Sequence, residues 1–218
     1  MSQWWCIGAL LVFGAIACKD KSGEPEDLGY DYFPVETGHW VEYKVDSIVY
    51  DPFNQSIDTF QFFLREEIAG EFQDLEGRST LRIERFKREN DTLAWRLIDV
   101  WTANRTSTTA ERVEENERIV KLSFPVRLNQ QWNGNAFNLR PEEDFEYTQV
   151  DASATVNGNT FAQTLTVLQF DNSNLIEREY SLERYSREVG LIYKELTLLD
   201  LQRDSGLDLR MEYRAYGN

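Results

Sequence analysis

The chain has 218 residues, and its 23 basic against 38 acidic side chains leave a formal charge of −15. That balance excludes nucleic acid as the main partner, because phosphate binding needs a basic face. Hydrophobic residues at 41% and aromatics at 13% exclude disorder throughout, and one histidine with two cysteines leaves little for metal or triad chemistry.

Trp4 to Ala17, WWCIGALLVFGAIA, carries no charge. It is shorter than the roughly 20 apolar residues a membrane-spanning helix requires and has the length of a signal-peptide core. Ala15-Ile16-Ala17-Cys18 then meets Lys19, Asp20 and Lys21 at once. This resembles a bacterial lipoprotein signal, in which the cysteine is lipidated and becomes the first mature residue. The pattern prefers leucine where Ala15 stands, and Met1-Ser2-Gln3 lacks the usual basic lead. The resemblance implies a signal over residues 1–17, a lipid anchor on Cys18 and, because Lys19 and not aspartate follows, the outer membrane. Cys6 leaves with the signal, so no disulfide is expected, and about 200 residues bury enough surface to fold without one. The acidic mature chain is repelled by anionic lipid, which leaves the acyl group as its hold on the membrane.

Residues 18–30 follow the anchor as a polar tether with Gly23, Pro25 and Gly29. From residue 31 to 218 the hydrophobic period is two, which predicts a single β-rich domain. Val41, Tyr43, Val45 and Val49 alternate with Glu42, Lys44 and Asp46; Phe60, Phe62 and Leu64 share a face. So do Leu93, Trp95, Leu97 and Trp101, then Val120, Leu122, Phe124 and Val126, then Phe161, Leu165 and Val167, and last Leu207, Leu209, Met211 and Tyr213. Asn157-Gly158 is a type I′ hairpin signal, and turns are expected at Asp51–Asn54, Asp171–Asn174 and Asp204–Gly206. Only Glu111–Ile119 has the composition of a helix of any length. The expectation is an all-β antiparallel meander of about 8–10 strands in a curled sheet, a half-barrel, a closed barrel or a sandwich. Phe33-Pro34-Val35 with Trp40, and Phe124-Pro125-Val126 with Trp132, form a short device that occurs twice.

Two segments carry a further resemblance. Tyr32-Phe33-Pro34-Val35, Gly38, Trp40-Val41, Tyr43 and Val45-Asp46-Ser47-Ile48 are similar to the start of a large group of small Bacteroidetes lipoproteins. Tyr185-Ser186-Arg187-Glu188-Val189-Gly190-Leu191-Ile192-Tyr193-Lys194-Glu195 resembles their second hallmark, with Ser186 and Glu188 in place of the usual alanine and glycine. The group is mostly uncharacterised, so the resemblance implies place and architecture and no catalytic residue. Proteins of that phylum are O-glycosylated at Asp-Ser/Thr-aliphatic triplets, which marks Ser47 and Thr92.

Chemistry is sparse. His39, the only histidine, lacks a Gly-x-Ser-x-Gly partner and is expected to be structural. No spacing of Cys and His fits zinc, and no calcium or phosphate loop is present, so neither metal nor cofactor is expected. Glu66-Glu67, Glu114-Glu115 and Glu142-Glu143-Asp144 are acidic runs, but neighbours on a strand face opposite ways and form no hydrolase dyad. Trp40, Trp95, Trp101 and Trp132 are the candidate ligand or partner surface. The leading expectation is a non-enzymatic interaction module of the envelope meeting another envelope protein. Its rival is a carrier or sensor of a hydrophobic ligand inside the curled sheet. A carboxylate hydrolase stands third.

Overall fold

The computed structural model describes residues 26–218. The signal, Cys6 and Cys18 lie outside that range. Twelve strands follow one another: β1 (Trp40–Asp51), β2 (Ser56–Gln73), β3 (Ser79–Arg88), β4 (Arg96–Arg105), β5 (Thr109–Glu114), β6 (Glu117–Ser123), β7 (Gln131–Asn133), β8 (Asp144–Val156), β9 (Asn159–Ser173), β10 (Glu177–Ser186), β11 (Gly190–Asp200) and β12 (Ser205–Gly217). All pairings are antiparallel, in the order β6-β5-β4-β3-β2-β1-β12-β11-β10-β9-β8-β7. Read around a circle this is a plain meander, interrupted only between β6 and β7. The sheet is a nearly closed barrel, the barrel-like form among the expected alternatives, with more strands than the periodicity showed.

The seam between β6 and β7 is bridged at one end by side chains and single backbone bonds. Val120 N–H donates to the Gly134 carbonyl at 2.9 Å, and the Trp132 indole donates to Val120 O at 2.9 Å. The Tyr147 hydroxyl both receives Ser123 N–H and donates to Ser123 O, each at 2.8 Å. Gly134 is required here, because a Cβ would lie 2.4 Å from the Phe145 ring.

Local sequence accounts for most of the hairpins. Asn157 (φ 46°) and Gly158 (φ 77°) form the tight turn between β8 and β9. The Asp51 carboxylate accepts from Phe53 N–H and Asn54 N–H and so closes the β1–β2 turn. Two expectations are corrected. Glu111–Ile119 is not helical: it forms the β5–β6 hairpin, with Glu115 and Asn116 at positive φ in the turn. Leu93 and Trp95 precede β4, and a bulge that leaves Ile98 without a partner turns Leu97 to the opposite face from Trp101.

The two ends of the barrel differ. The end holding the N-terminus of β1 is plugged by a 3-10 turn, Tyr30–Tyr32. Tyr32 is fully buried and its hydroxyl donates to Asp151 at 2.8 Å. Arg187 stacks on the Tyr32 ring and reaches Asp27, Asp31 and Asp151 at 2.7–2.9 Å. Arg105 donates to the carbonyls of Tyr30 and Phe33 at 3.0 and 2.9 Å. The last residues assigned to the tether are therefore seated on the barrel, with Leu28 O accepting from Val126 N–H.

The two segments that carry the resemblance meet in this plug. Glu188 N–H donates to Asp31 O, and the Tyr43 hydroxyl donates to Leu191 O at 3.0 Å. Gly190 (φ 88°) lies so close to Pro34 that a Cβ would sit 3.2 Å from the proline ring. The duplicated Phe-Pro-Val segments are also neighbours: Tyr30 packs edge-on against Phe124, and Gly29 against Val126.

Candidate functional site: a charged chain and a cleft inside the barrel

Behind the plug the interior is apolar and packed, with Tyr43, Val41, Ile68, Leu81, Ile83 and Leu191 around a cavity of only about 70 Å³. Beyond it, charged side chains from seven strands cross the lumen in alternating sign. Asp99 faces Arg85 (3.7 Å), Arg85 pairs with Glu66 (3.0 Å), and Glu66 with Arg112 (2.8 Å). Arg112 approaches Glu114 (3.7 Å), Glu114 pairs with Lys121 (3.3 Å), Lys121 with Glu183 (2.7 Å), and Glu183 with Lys194 (3.3 Å). Arg85 and Arg112 also lie over the Trp101 ring, at 3.5 and 4.9 Å.

Burying such charges costs several kcal/mol per ion, on the order of what the pairing returns. Apolar residues would stabilise the barrel as well, so stability alone does not account for the chain. Its ionisation is fixed. Burial alone would raise the Glu183 carboxyl, but Lys121 and Lys194 outweigh it and hold the group down at about 2. Glu114 is likewise held well below its ordinary value, where burial is outweighed by Lys121, Lys194 and Arg112. Glu66 is lowered too, with Arg112 and Arg85 overcoming its burial. Burial and the adjacent Glu183 push the Tyr185 phenol up, so it stays a donor, at 2.5 Å from Glu183. None of these carboxylates holds a proton to give near neutrality.

On the far side of the chain the interior is not filled. A cavity of about 360 Å³ is walled by Val45, Phe62, Ile98, Leu196, Leu209 and Met211 and bounded by the charged chain. At Glu114, Lys194 and Leu196 it adjoins a wider cleft of about 670 Å³ lined by Ile119, Phe145, Phe170 and Leu198, which opens beside the β5–β6 turn and the segment after β7. Glu115, Glu117, Glu143 and Glu179 line this outer part. Burial and the neighbouring Glu179 and Asp144 raise the Glu143 carboxyl. The turns at this end expose Phe53, Leu93, Phe137, Leu139, Leu175, Ile176 and Leu201. Together the two spaces have the size of a small-molecule site.

The candidate tryptophans do not share one surface. Trp101 lies against the charged chain and lines the 360 Å³ cavity. Trp132 packs on Tyr147 at the seam, with ring centroids 4.4 Å apart. Trp40 and Trp95 stand on the outer face, capped by Arg65 and Arg88 at 4.3 Å each. Glu42 lies 3.6–4.0 Å from Arg65, Arg88 and Arg214 in the same layer. Ser47 is buried within β1, whereas Thr92 is exposed in the β3–β4 loop. His39 is buried at the plug, with Nε2 3.0 Å from Val189 O and Nδ1 2.8 Å from Asn218 Oδ1. Glu66 faces inward and Glu67 outward, as the strand period requires. Among the described residues no group of three or more His, Cys, Asp or Glu could hold a metal ion, and no helix is long and apolar enough to cross a membrane.

The sequence did not reveal Lys121 or Gln169 as interior residues. Each is the unpaired extra residue of a bulge, opposite Ala110/Glu111 and Ser181/Leu182 respectively, as Ile98 is on β4. Bulges re-aim side chains and gather beside functional sites. Strict alternation would turn Lys121 outward, away from the face of Leu122.

No family model matches the chain, and no curated protein does. In shape it is similar to a protein described as exported, with a YmcC-like fold, from Bacteroides fragilis, at 8% identity and TM-score 0.49 over 85% of this chain and 98% of that one. It is similar also to a protein described as a lipoprotein from Parabacteroides distasonis, at 12% identity and TM-score 0.46 over 85% and 98%. A protein described as an outer membrane lipoprotein-sorting domain from Vibrio parahaemolyticus follows at 11% identity and TM-score 0.21 over 83% and 85%. Likeness at this level is one of partial shape, and the reading of function rests on the interior of the barrel itself.

Proposed function

We propose that the protein is an envelope lipoprotein, anchored to the outer membrane through Cys18, that holds a hydrophobic ligand inside its barrel as a carrier or sensor. The observation that carries this reading is the 360 Å³ cavity between apolar walls, open through the adjoining cleft at the end opposite the plug. An interaction module needs only a filled core, and half of this interior is filled in that way. The other part is shaped as a binding site, with apolar walls beside the charged chain and Lys87 Nζ lying 4.1 Å from the centroid of the Phe62 ring. The role is non-enzymatic: the three interior carboxylates are engaged by cations and ionised, which suits electrostatic ordering and not acid catalysis. The exposed apolar turns around the open end give a ligand an apolar approach.

The test is gentle detergent purification from native membranes, followed by mass spectrometry of everything retained. An apolar molecule held at about one per chain, beyond the acyl group on Cys18, is the expected result. A stoichiometric protein partner with an empty barrel would return the reading to an interaction module. Separately, Cys18→Ser is expected to move the protein out of the membrane fraction; retention there would show that lipidation is not the anchor.

A further inference from the structure

The polar edge of the cavity is unbalanced in one direction. Among the described residues, the buried side-chain polar atoms without a hydrogen-bond partner are Arg65 Nε, Arg88 Nε, Arg112 Nε and Gln169 Nε2, and all four are donors. Arg65 and Arg88 lie on the outer layer against Trp40 and Trp95. Arg112 and Gln169 border the interior spaces. Gln169 faces inward on the side of Leu165 and Val167, and its carbonyl oxygen is occupied by the Ser181 hydroxyl at 2.7 Å, which leaves its amide hydrogens unused. Lys194 stands where the cavity and the cleft meet, and its ammonium has one ion-pair partner, Glu183 Oε1 at 3.3 Å, an oxygen already held by Lys121 at 2.7 Å. An ammonium carries three donors. Leaving buried donors unmade is costly, so Gln169 Nε2 and Lys194 Nζ call for acceptors even though Glu114, Glu115, Glu117, Glu143 and Glu179 line the adjoining cleft.

We propose, building on the ligand-binding reading above, that the ligand is a fatty acyl group. Its alkyl chain occupies the cavity walled by Phe62, Ile98 and Met211, and its carbonyl or carboxylate oxygen accepts hydrogen bonds from Gln169 Nε2 and Lys194 Nζ. An ammonium-headed chain of equal length offers only donors, so it leaves Gln169 Nε2 and Lys194 Nζ unsatisfied and must seat its head on cleft carboxylates such as Glu143 and Glu179 instead. The carboxylates Glu143 and Glu179 on the outer cleft oppose a free anion more than a neutral ester, so the two acyl forms are separable by experiment.

The full chain, purified in a non-ionic detergent, is titrated with lauric acid, methyl laurate and dodecylamine, using the carbon-13 carboxyl signal of labelled laurate as reporter and the other two as competitors. The acyl compounds are expected to bind at least about tenfold more tightly than the amine. Lys194→Met and Gln169→Leu, singly and together, should bring the acyl-to-amine ratio to within about twofold, while Arg203→Ala, on an exposed turn, leaves the ratio as it was. Tighter laurate than methyl laurate identifies a free fatty acid; the reverse identifies an esterified chain. Equal or tighter binding of dodecylamine overturns the acyl assignment and leaves the cavity as a ligand site. If none of the three chains binds, the ligand-binding reading itself falls, and the acyl assignment with it.

Discussion

The two ends of this barrel use charge in opposite ways. At the plugged end, Arg187 and Arg105 tie a short N-terminal segment to the rim, and their partners are backbone carbonyls and carboxylates at the edge of solvent. Behind them the core is apolar and closed. At the open end the charges lie inside, in a chain that alternates in sign across the lumen, and the apolar residues beyond it face empty space. The closed end is packed as a stability element, and the open end keeps the spaces that the proposed ligand would fill. Substitutions should therefore separate the two, with stability and ligand capacity responding to different residues.

The largest expected effect lies at the junction. Lys121→Met leaves the buried Glu183 without its nearest cation and should lower stability by about 3–5 kcal/mol, read as a fall in the urea midpoint. The pair Lys121→Met with Glu183→Leu should recover most of that loss, because an apolar replacement removes both charges at once. If the single change costs under about 1 kcal/mol, the chain is solvated and the contrast between the ends fails.

Gly134→Ala should cost about 2 kcal/mol, since the new methyl group meets the Phe145 ring and the seam must open. Arg187→Ala should cost about 1.5–2 kcal/mol through its charge-assisted bonds to Asp27, Asp31 and Asp151, without changing ligand capacity. A simultaneous loss of retained ligand would show that the plug shapes the site.

Acid distinguishes the ends more gradually. Glu183 and Glu114 titrate lower in the folded chain than their ordinary 4.5, so the stability they contribute is present above about pH 4.5 and is lost as pH falls toward 2. Glu143 in the outer cleft is raised, and protonating it relieves a burden, so Glu143→Gln should flatten the opposing trend without reversing the whole. A series of urea midpoints from pH 7 to pH 3 checks both signs. The smallest effect belongs to the exposed tips: Phe53→Ser and Leu175→Ser should change stability by no more than about 0.5 kcal/mol and slow ligand uptake.

Much of the architecture was legible. Alternation of Val41, Tyr43 and Val45, and of Leu207, Leu209, Met211 and Tyr213, located β1 and β12, and Asn157-Gly158 placed its hairpin. The site was not legible, for two physical reasons. An inward Phe62 looks the same whether it meets another side chain or a cavity. At the polar edge, Lys121 faces inward beside Leu122 because of a bulge, which breaks the period that the reading depends on, while Gln169 continues the face of Leu165 and Val167 and alternation alone does not mark it as lining a cavity. Leu93 and Trp95 were misplaced for a related reason, since the strand they were assigned to begins only at Arg96.

The pairing of β1 with β12, Trp40 opposite Gly217 through Tyr50 opposite Gly206, joins the first and last strands of the meander. Each intervening hairpin can zip locally as it emerges, but the barrel acquires its circumference only when the final strand arrives. Contacts of such sequence separation form slowly, because loop closure precedes their reward. Until then β1 presents a bare edge able to recruit a foreign strand. Folding of this chain is thus a race between arrival of β12 and capture of β1 by a foreign strand, and loss of β12 would leave the sheet divided at its middle.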